Sequence, residues 1–358
     1  MRLRTTLPPT EDICSVLKTV FLSQLKVKGN RYADDPRQFA VLLWDETHIS
    51  LGVEVTLNRM PHGGRKLVFE HIDVFTRKPF EGNPLAVFHD GRGLSGSEMQ
   101  LIAREMHLSE TTFVLPRERR LECLRGVRIR IFTVEEELPF AGHPTLGTAW
   151  VLKGKSDRKE VRLDLNVGQV PVRFCRRDGE SFGEMTQPEP KWGETHRRDR
   201  VASALGVTES DFDTNLPIET VSTGNTFAMV PFKSLGVLQR LRPNVSAMED
   251  YLRGTDAKFL YLVSKETMDP DARLHARMIF YGGEDPATGS AAGPAAAWML
   301  RHGLLKPEEE AWIEQGIEIY RPSQIFVRVG GSKQRPRAVR VGGYCSGPIR
   351  GELRLPPS

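Results

Sequence analysis

The chain carries two segments twice, and this repetition constrains the fold more than any other feature of the sequence. Residues 82–88, Gly-Asn-Pro-Leu-Ala-Val-Phe, are echoed by residues 224–230, Gly-Asn-Thr-Phe-Ala-Met-Val. At a similar spacing, the glycine-opened apolar run 142–152 is echoed by the run 289–300. Two matching pairs at a common spacing rarely arise by chance, although coincidence between glycine-rich loops is the alternative. The repetition therefore predicts one ancestral half used twice, with the two half-sites facing each other across a cleft.

Composition and charge exclude several classes of protein. The 358 residues suffice for one large or two ordinary domains. The net charge of +4 argues against a nucleic-acid partner, in spite of the arginine-rich runs 117–120 and 197–200. The four cysteines are scattered without a CxxC pair, which argues against a zinc site or a disulfide scaffold and favours a reducing, cytoplasmic compartment. No apolar stretch approaches the ~20 residues of a membrane span, so no membrane partner is expected.

The first 66 residues differ in character from the rest. They begin with a basic run, residues 1–4, but lack the unbroken apolar core and the small-residue cleavage site of a secretory signal. Strand patterning begins at about residue 68, and Met60 stands just before it. We expect residues 1–66 to be an appended, poorly ordered segment without chemistry. Residues 1–59 are then either a tail or the product of a start site placed too far upstream.

From residue 68 onward, apolar–polar alternation predicts strands, and two runs of small apolar residues predict buried helices. The predicted fold class is α+β, with strands wrapped round a central helix in each half. The expected halves are residues 67–190 and 191–340, with a strand near 340–355 returning to the first half and a boundary within the proline-, glycine- and charge-rich stretch 176–200. The sequence predicts helices at 95–107, 144–153, 198–205 and 288–301, and strands at 68–75, 84–89, 111–115, 127–133, 160–166, 169–175, 217–222, 226–231, 258–263, 274–281, 311–319, 324–329 and 337–344.

The loop Gly142-His143-Pro144-Thr145 is the first candidate for chemistry. It opens a buried helix, so free N–H groups and the positive end of the helix dipole point outward at an anion. Thr145 adds a hydroxyl, and His143 can exchange a proton near neutrality. The alternative is an ordinary helix start, with Pro144 at the first helical position and His143 merely exposed.

The second candidate is the string Gly-Glu-Asp-Pro-Ala-Thr-Gly-Ser-Ala-Ala-Gly at residues 283–293. It places a carboxylate, two hydroxyls and another glycine-opened helix within a few residues. The alternative role for Asp285 is that of a helix N-cap. A third candidate, Glu110, stands at the entry to a predicted strand, where an acidic residue is more often simply solvated.

Several of these segments closely resemble the phenazine-biosynthesis-like isomerase family. They are residues 73–76, 80–87, 108–114, 130–133, 137–147, 284–291, and 315–316 followed by 321–323. The match runs in order from about residue 68 to near residue 350. The family shares the fold of diaminopimelate epimerase, in which two pseudo-symmetric halves, each a curled sheet round a central helix, enclose the active site. The resemblance implies that fold, and dimers are common for it.

The resemblance also implies roles for individual residues. Glu110 matches the family's catalytic acid or base, while His143 and Asp285 match polar partners that line the cleft. The loop 280–283 departs from the commonest form of the family, which leaves substrate contacts there open. Together with Thr145, the candidate substrate-binding residues are Asn83, Gly142, Gly289 and Ser290.

These observations predict a cofactor-independent isomerase that moves a proton between carbons of a small carboxylated metabolite. The sequence lacks metal-ligand spacing, a nucleotide loop and a cofactor lysine motif, so we expect no metal and no cofactor. A carboxyl in a closed apolar cleft has a raised pKa, and two helix N-termini can stabilise carboxylate or enolate charge. A two-base racemase or epimerase is one alternative, disfavoured because neither loop contains a cysteine. A non-catalytic small-anion-binding protein is the other, and a homodimer is expected in each case.

A chain that starts at Met60 tests the expectation for the first 59 residues. We expect it to fold with an unchanged melting temperature in a circular dichroism scan, since the removed residues carry none of the predicted pattern. A fall of several degrees, which means more than about 1 kcal/mol for a chain of this size, would show that the segment packs on the body.

Overall fold

The computed structural model describes residues 64–280 and 283–356, all of which belong to one compact unit. The expected appended segment, residues 1–66, lies outside the described residues except for residues 64–66, and Lys66 already begins the first strand. None of the described helices is long and apolar enough to cross a membrane.

The described residues form helices and strands in an alternating α+β order. The helices are α1 (Gly96–Met106), α2 (Arg119–Arg125), α3 (Gly142–Lys153), α4 (Arg198–Leu205), α5 (Leu235–Arg240), α6 (Val245–Leu252) and α7 (Gly289–Arg301). The strands are β1 (Lys66–Val74), β2 (Asn83–Phe88), β3 (Glu110–Leu115), β4 (Val127–Phe132), β5 (Glu137–Leu138), β6 (Glu160–Leu165), β7 (Gly168–Arg177), β8 (Glu180–Thr186), β9 (Lys191–Thr195), β10 (Glu219–Ser222), β11 (Thr226–Phe232), β12 (Phe259–Ser264), β13 (Leu274–Phe280), β14 (Gly283–Glu284), β15 (Glu310–Gln315), β16 (Ser323–Gly331), β17 (Pro336–Gly343) and β18 (Cys345–Arg354).

Strand pairing repeats in the two halves. In the first half β1–β2 is antiparallel, β2–β3 parallel, β3–β4 antiparallel, β4–β6 parallel, and β6–β7 and β7–β8 antiparallel. In the second half β10–β11 is antiparallel, β11–β12 parallel, β12–β13 antiparallel, β13–β15 parallel, and β15–β16 and β16–β17 antiparallel. The same pairing pattern thus recurs at a spacing of nine strands, as expected of the predicted fold.

Two strands cross between the halves. β9 follows the first half in the chain but pairs with β10, and β18 follows the second half but pairs with β1. β8 and β17 pair antiparallel and join the two sheets. The stretch 176–200, whose composition marked it as a boundary, thus contains β8 and β9, and the chain passes from one half to the other between them.

Each sheet curls round a buried central helix. Most of α3 and nearly all of α7 are buried, which agrees with the small residues of both. A Cβ on Gly147 would lie 2.8 Å from side chains of Ile72, Val74 and Leu85, so α3 lies directly on its sheet. Helix α3 begins at Gly142 and Pro144 is its third residue, because Ala141 is the N-cap. The predicted strand at 311–319 ends at Gln315, and residues 317–319 form a 3₁₀ turn.

The two central helices meet at their N-termini. A Cβ on Gly142 would lie 2.6 Å from both the carbonyl carbon of Gly289 and the amide nitrogen of Ser290. That distance is shorter than any real contact of a Cβ, so only glycine allows this approach. The two helix starts are therefore fixed side by side by the absence of one side chain.

A buried histidine between two glutamates holds a loop of the second half in place. His275 Nδ1 lies 2.7 Å from Glu314 and Nε2 lies 2.9 Å from Glu318. Burial opposes charge on the ring, but the two glutamates prevail and raise the pKa of His275 to about 9. Glu314 also accepts hydrogen bonds from the backbone N–H groups of Met268 and Asp269, so the charged cluster fixes the loop before β13.

We expect Gly142→Ala to destabilise the protein, because the added methyl group forces the two helix starts apart. Overpacking of this kind costs about 1–3 kcal/mol. Urea unfolding measures the change, with Gly254→Ala as the control, since a Cβ there meets nothing closer than 3.6 Å. Equal stabilities of the two variants would mean that the helix starts are not in tight contact.

The His275 cluster predicts a loss of stability at alkaline pH. The pKa of His275 is raised from 6.5 to about 9, so its contribution is complete below pH 6.5 and is lost as the pH rises through about 9. A shift of this size corresponds to roughly 3 kcal/mol. As the pH rises between these two values, the urea midpoint of the wild type should fall, and the urea midpoint of His275→Gln should change less. A parallel fall of the urea midpoint in both proteins would show that the loss of stability does not come from the His275 cluster.

Candidate active site

The helix starts of α3 and α7 border a small cleft between the halves. The space between its lining atoms is about 450 Å³, including the part open to solvent. The first N–H groups of both helices have no acceptor within their own helix and are available to an anion. The cleft is lined by Glu110, Leu138, Ala141, Gly142, His143, Asn225, Phe227, Phe259, Met278, Asp285, Thr288, Gly289 and Ser290.

Glu110 enters the cleft from the first position of β3. The parallel pairing of β2 and β3 sets it opposite Leu85, and only 8% of its surface is exposed. Burial raises the pKa of Glu110 well above its usual value, and the charge of Asp285 raises it further. Glu110 is therefore the carboxyl group of the cleft that holds a proton most readily.

His143 faces Glu110 as a neutral ring. Burial lowers the pKa of His143 to about 3, against a hydrogen bond to the carbonyl oxygen of Pro84. Its Nε2 lies 3.3 Å from Glu110 Oε2, and neither atom has a well-aligned hydrogen bond. The bond to Pro84 therefore belongs to Nδ1–H, which leaves a lone pair on Nε2. A protonated carboxyl thus faces a neutral ring nitrogen, and both atoms are free to serve a ligand.

Asp285 is surrounded by hydrogen-bond donors. Its Oδ1 accepts from Asn83 Nδ2 at 2.7 Å and from Ser109 Oγ at 3.2 Å, and its Oδ2 accepts from Thr288 Oγ at 2.6 Å. Burial raises the pKa of Asp285, and these three bonds oppose the rise. Glu110 has no comparable donors, so the surroundings favour the charge on Asp285 and the proton on Glu110.

Apolar side chains form the opposite wall of the cleft. They are Leu138, Phe227, Phe259 and Met278. The rings of Phe227 and Phe259 are stacked at a tilt, with their centroids 5.5 Å apart. This wall can bury the carbon skeleton of a ligand whose polar groups face the other side.

The internal repeat relates the polar wall of the cleft, which holds Glu110 and Asp285, to the apolar wall. Strand β2 pairs Leu85 with Glu110, and its counterpart β11 pairs Phe227 with Phe259. Because residues 82–88 match residues 224–230, Phe259 occupies in the second half the position of Glu110 in the first. The loop 138–143, Leu-Pro-Phe-Ala-Gly-His, likewise matches the loop 285–290, Asp-Pro-Ala-Thr-Gly-Ser, and sets Leu138 against Asp285. Each carboxyl group therefore has an apolar counterpart.

Six of the eight candidate residues line the cleft together: Glu110, His143, Asp285, Gly142, Gly289 and Ser290. Asn83 is fully buried behind Asp285, where it donates to that carboxylate and to the carbonyl of Ala287. The structure does not bring Thr145 to the cleft, because its buried hydroxyl donates to the Ala141 carbonyl at 2.7 Å. Asp285 is not the N-cap of α7, a position that Thr288 occupies.

Sequence reasoning missed four residues of the site. Ser109 and Thr288 donate to Asp285, Gln315 bonds the loop that carries it, and Asn225 lines the cleft. Asn225 could have been found, because it is the counterpart of Asn83 in the repeat. The other three act through hydrogen bonds that become visible only in the folded chain.

The described residues contain no group of three or more His, Cys, Asp or Glu side chains placed to hold a metal ion. The three described cysteines, Cys123, Cys175 and Cys345, are free, and none lines the cleft. Tyr281 and Gly282, in the loop whose substrate contacts were left open, lie outside the described residues.

The chain is similar to known proteins over most of its described length. The family model described as "Phenazine biosynthesis-like protein" matches residues 72–348. The chain is 40% identical over 276 residues to a trans-2,3-dihydro-3-hydroxyanthranilate isomerase of Pseudomonas aeruginosa, an alignment that covers 76% of this chain and 94% of that protein.

Two crystal structures resemble the fold closely. The phenazine biosynthesis protein of the PhzF family from Bacillus anthracis superposes with a TM-score of 0.73 at 29% identity, covering 81% of this chain and all of that one. A predicted epimerase from Pseudomonas aeruginosa superposes with a TM-score of 0.70 at 35% identity, covering 80% and 99%. The chain belongs to the phenazine biosynthesis-like protein family of isomerases.

Proposed function

We propose that this isomerase moves a proton between two carbons of a small carboxylated substrate without a cofactor, and that Glu110 carries the proton. Glu110 gives its proton to one carbon and takes a proton from another, so the enzyme ends each cycle as it began. The charge on Asp285 keeps the carboxyl of Glu110 protonated between cycles, and the lone pair of His143 Nε2 faces that carboxyl. The other residues hold the substrate and its developing charge.

The one-sided placement of the acid carries this proposal. A two-base racemase needs a proton carrier on each face of the reacting carbon. In this cleft the counterpart of Glu110 is Phe259 and the counterpart of Asp285 is Leu138, and neither of these two described residues can give a proton. A single carboxyl that works on one face of the substrate fits this arrangement, and it disfavours the two-base alternative.

The helix starts supply the site for the substrate's carboxylate. The first N–H groups of α3 and α7, from Gly142, His143, Gly289 and Ser290, converge on the cleft, and the hydroxyl of Ser290 adds a further donor. The positive ends of both helix dipoles favour an anion there.

The apolar wall supports a substrate with a compact hydrocarbon skeleton. Leu138, Phe227, Phe259 and Met278 can pack against an unsaturated ring or short chain while its carboxylate faces the helix starts. The Pseudomonas relative, by its name, isomerises a cyclic amino acid of this kind. We extend only that class to this chain: a small carboxylated, unsaturated metabolite.

We further propose that the protein is a cytoplasmic homodimer. The free state of Cys123, Cys175 and Cys345 supports a reducing compartment. Sedimentation at several protein concentrations measures the oligomeric state.

Glu110→Gln tests the role of the proton carrier. The amide keeps the size of Glu110 but cannot shuttle a proton, and general acid–base catalysis is worth about two to four orders of magnitude. Small carboxylic and amino acids are first screened by NMR for deuterium uptake in heavy water with the wild type. With the ligand found, Glu110→Gln should bind it and lose at least about 100-fold in exchange rate.

Asp285→Asn and His143→Ala should also lose rate, with larger effects on binding, because both side chains belong to the loops that hold the anion. Glu105→Gln, an exposed glutamate on α1, is the control and should exchange normally. Near-normal exchange by Glu110→Gln with none by Asp285→Asn would move the role to Asp285. Binding without any exchange in the wild type would favour the anion-binding alternative.

A further inference from the structure

Gln315 belongs to a sequence motif to which the proposed chemistry gives no role. It is the last residue of β15, and its side chain is fully buried beneath the loop 285–288. Its amide makes four hydrogen bonds, although the side chain neither lines the cleft nor carries charge. Three of these bonds go to Asp285 and Thr288.

Two backbone groups fix the orientation of the Gln315 amide. Its Nε2 lies 2.7 Å from the carbonyl oxygen of Asp285, which can only accept, and its Oε1 lies 3.1 Å from the backbone nitrogen of Thr288, which can only donate. Exchanging the amide oxygen and nitrogen would break both bonds. Tyr261 adds a hydroxyl bond to Oε1 at 3.1 Å, which is consistent with the same orientation.

The fixed amide sets the direction of the Thr288 hydroxyl. The second N–H of Gln315 donates to Thr288 Oγ at 2.8 Å, so that oxygen is the acceptor in this bond. Its own proton is then directed to the one remaining neighbour, Asp285 Oδ2, at 2.6 Å. A hydroxyl held in this way donates to Asp285 and cannot turn round to accept from it.

In the other hydrogen bonds of Asp285 the carboxylate is again the acceptor. Asn83 Nδ2 also donates to the Ala287 carbonyl, so its amide is oriented by the backbone as well. The titratable groups around Asp285 are Glu110 across the cleft, Glu284 beside it in the chain, His143 at the start of α3 and Tyr261 on β12. None of these groups adds a positive charge, because His143 is neutral, so the carboxylate depends on its hydrogen-bond donors for stabilisation.

We propose that Gln315 is a positioning residue which, through the Thr288 hydroxyl, keeps the charge on Asp285 and the proton on Glu110. The proposal rests on the proposed function, since it explains how the proton carrier is loaded before substrate arrives. Without the Gln315 amide, the Thr288 hydroxyl can rotate and accept a hydrogen bond from a protonated Asp285. The proton is then shared between the two carboxyl groups, and Glu110 is no longer the dominant acid.

Carboxyl titration tests this ordering without a substrate. The protein is labelled with ¹³C at the side-chain carboxyls of Glu or Asp, and the Glu110 and Asp285 signals are identified by their loss in Glu110→Gln and Asp285→Asn. Gln315→Met keeps the length of the side chain and removes the amide. We expect it to lower the Glu110 midpoint by about one pH unit or more, a tenfold fall in proton affinity, and to raise the Asp285 midpoint. Thr288→Val should shift both midpoints in the same directions.

Gln187→Met is the matched control. Gln187 is also a buried glutamine against α7, but it bonds the Gly289 carbonyl at 2.8 Å and Thr223, and has no bond to Asp285 or Thr288. The Gln187→Met variant should lose stability without moving the titration midpoint of Glu110 or of Asp285. Simple loosening of the cleft admits water and lowers both midpoints together, so a parallel fall in Gln315→Met would overturn the proposal, as would no shift. Either result leaves the exchange test of Glu110→Gln untouched, so the two proposals fail separately.

Discussion

Two carboxyl groups share one buried cleft, and the cost of ionising both governs the arrangement around them. Burial disfavours charge on either group, and a negative charge on one raises the pKa of the other. The protein resolves this by giving Asp285 three hydrogen-bond donors and giving Glu110 a neutral histidine. One group is built to be an anion and the other to be an acid. The proposed isomerisation needs a proton on hand, and this division supplies it.

The repeated fold makes this division possible. Two similar halves place equivalent positions on opposite walls, and the contact of Gly142 with Gly289 fixes the helix starts side by side. Both starts keep their free N–H groups, so the means of holding an anion is symmetric. The side chains are not symmetric. Phe259 occupies the position equivalent to Glu110, and Leu138 occupies the position equivalent to Asp285. In the proposed mechanism the symmetric helix starts serve binding, and the asymmetric side chains confine proton transfer to one face.

Much of the fold could be predicted from the sequence because local residue patterns indicate it. The paired echoes indicated two halves and the small-residue runs indicated central helices, although the first of these helices begins at Gly142, two residues before the predicted start. The exchange of β9 and β18 between sheets was less accessible, because pairing partners far apart in the chain leave no local signal. The stretch 176–200 has the composition of a linker, yet residues 180–186 and 191–195 become strands because partners from other segments pair with them.

The site could be predicted in part for the same reason. Glu110, His143 and Asp285 lie in recognisable motifs and do meet in one cleft. The place of Thr145 could not be predicted, because its hydroxyl has an equally good acceptor one turn back in its own helix. Gln315 and Thr288 orient protons through bonds whose geometry no sequence pattern encodes.

Infrared spectroscopy of the unliganded enzyme at neutral pH tests the central claim most directly, because a protonated carboxyl group and a carboxylate absorb at different frequencies. The account predicts a protonated-carboxyl band in the wild type that disappears in Glu110→Gln and persists in His275→Gln, which removes a distant charged cluster. A band that survives in Glu110→Gln and disappears in Asp285→Asn would contradict it, because the proton would then reside on the wrong side of the pair.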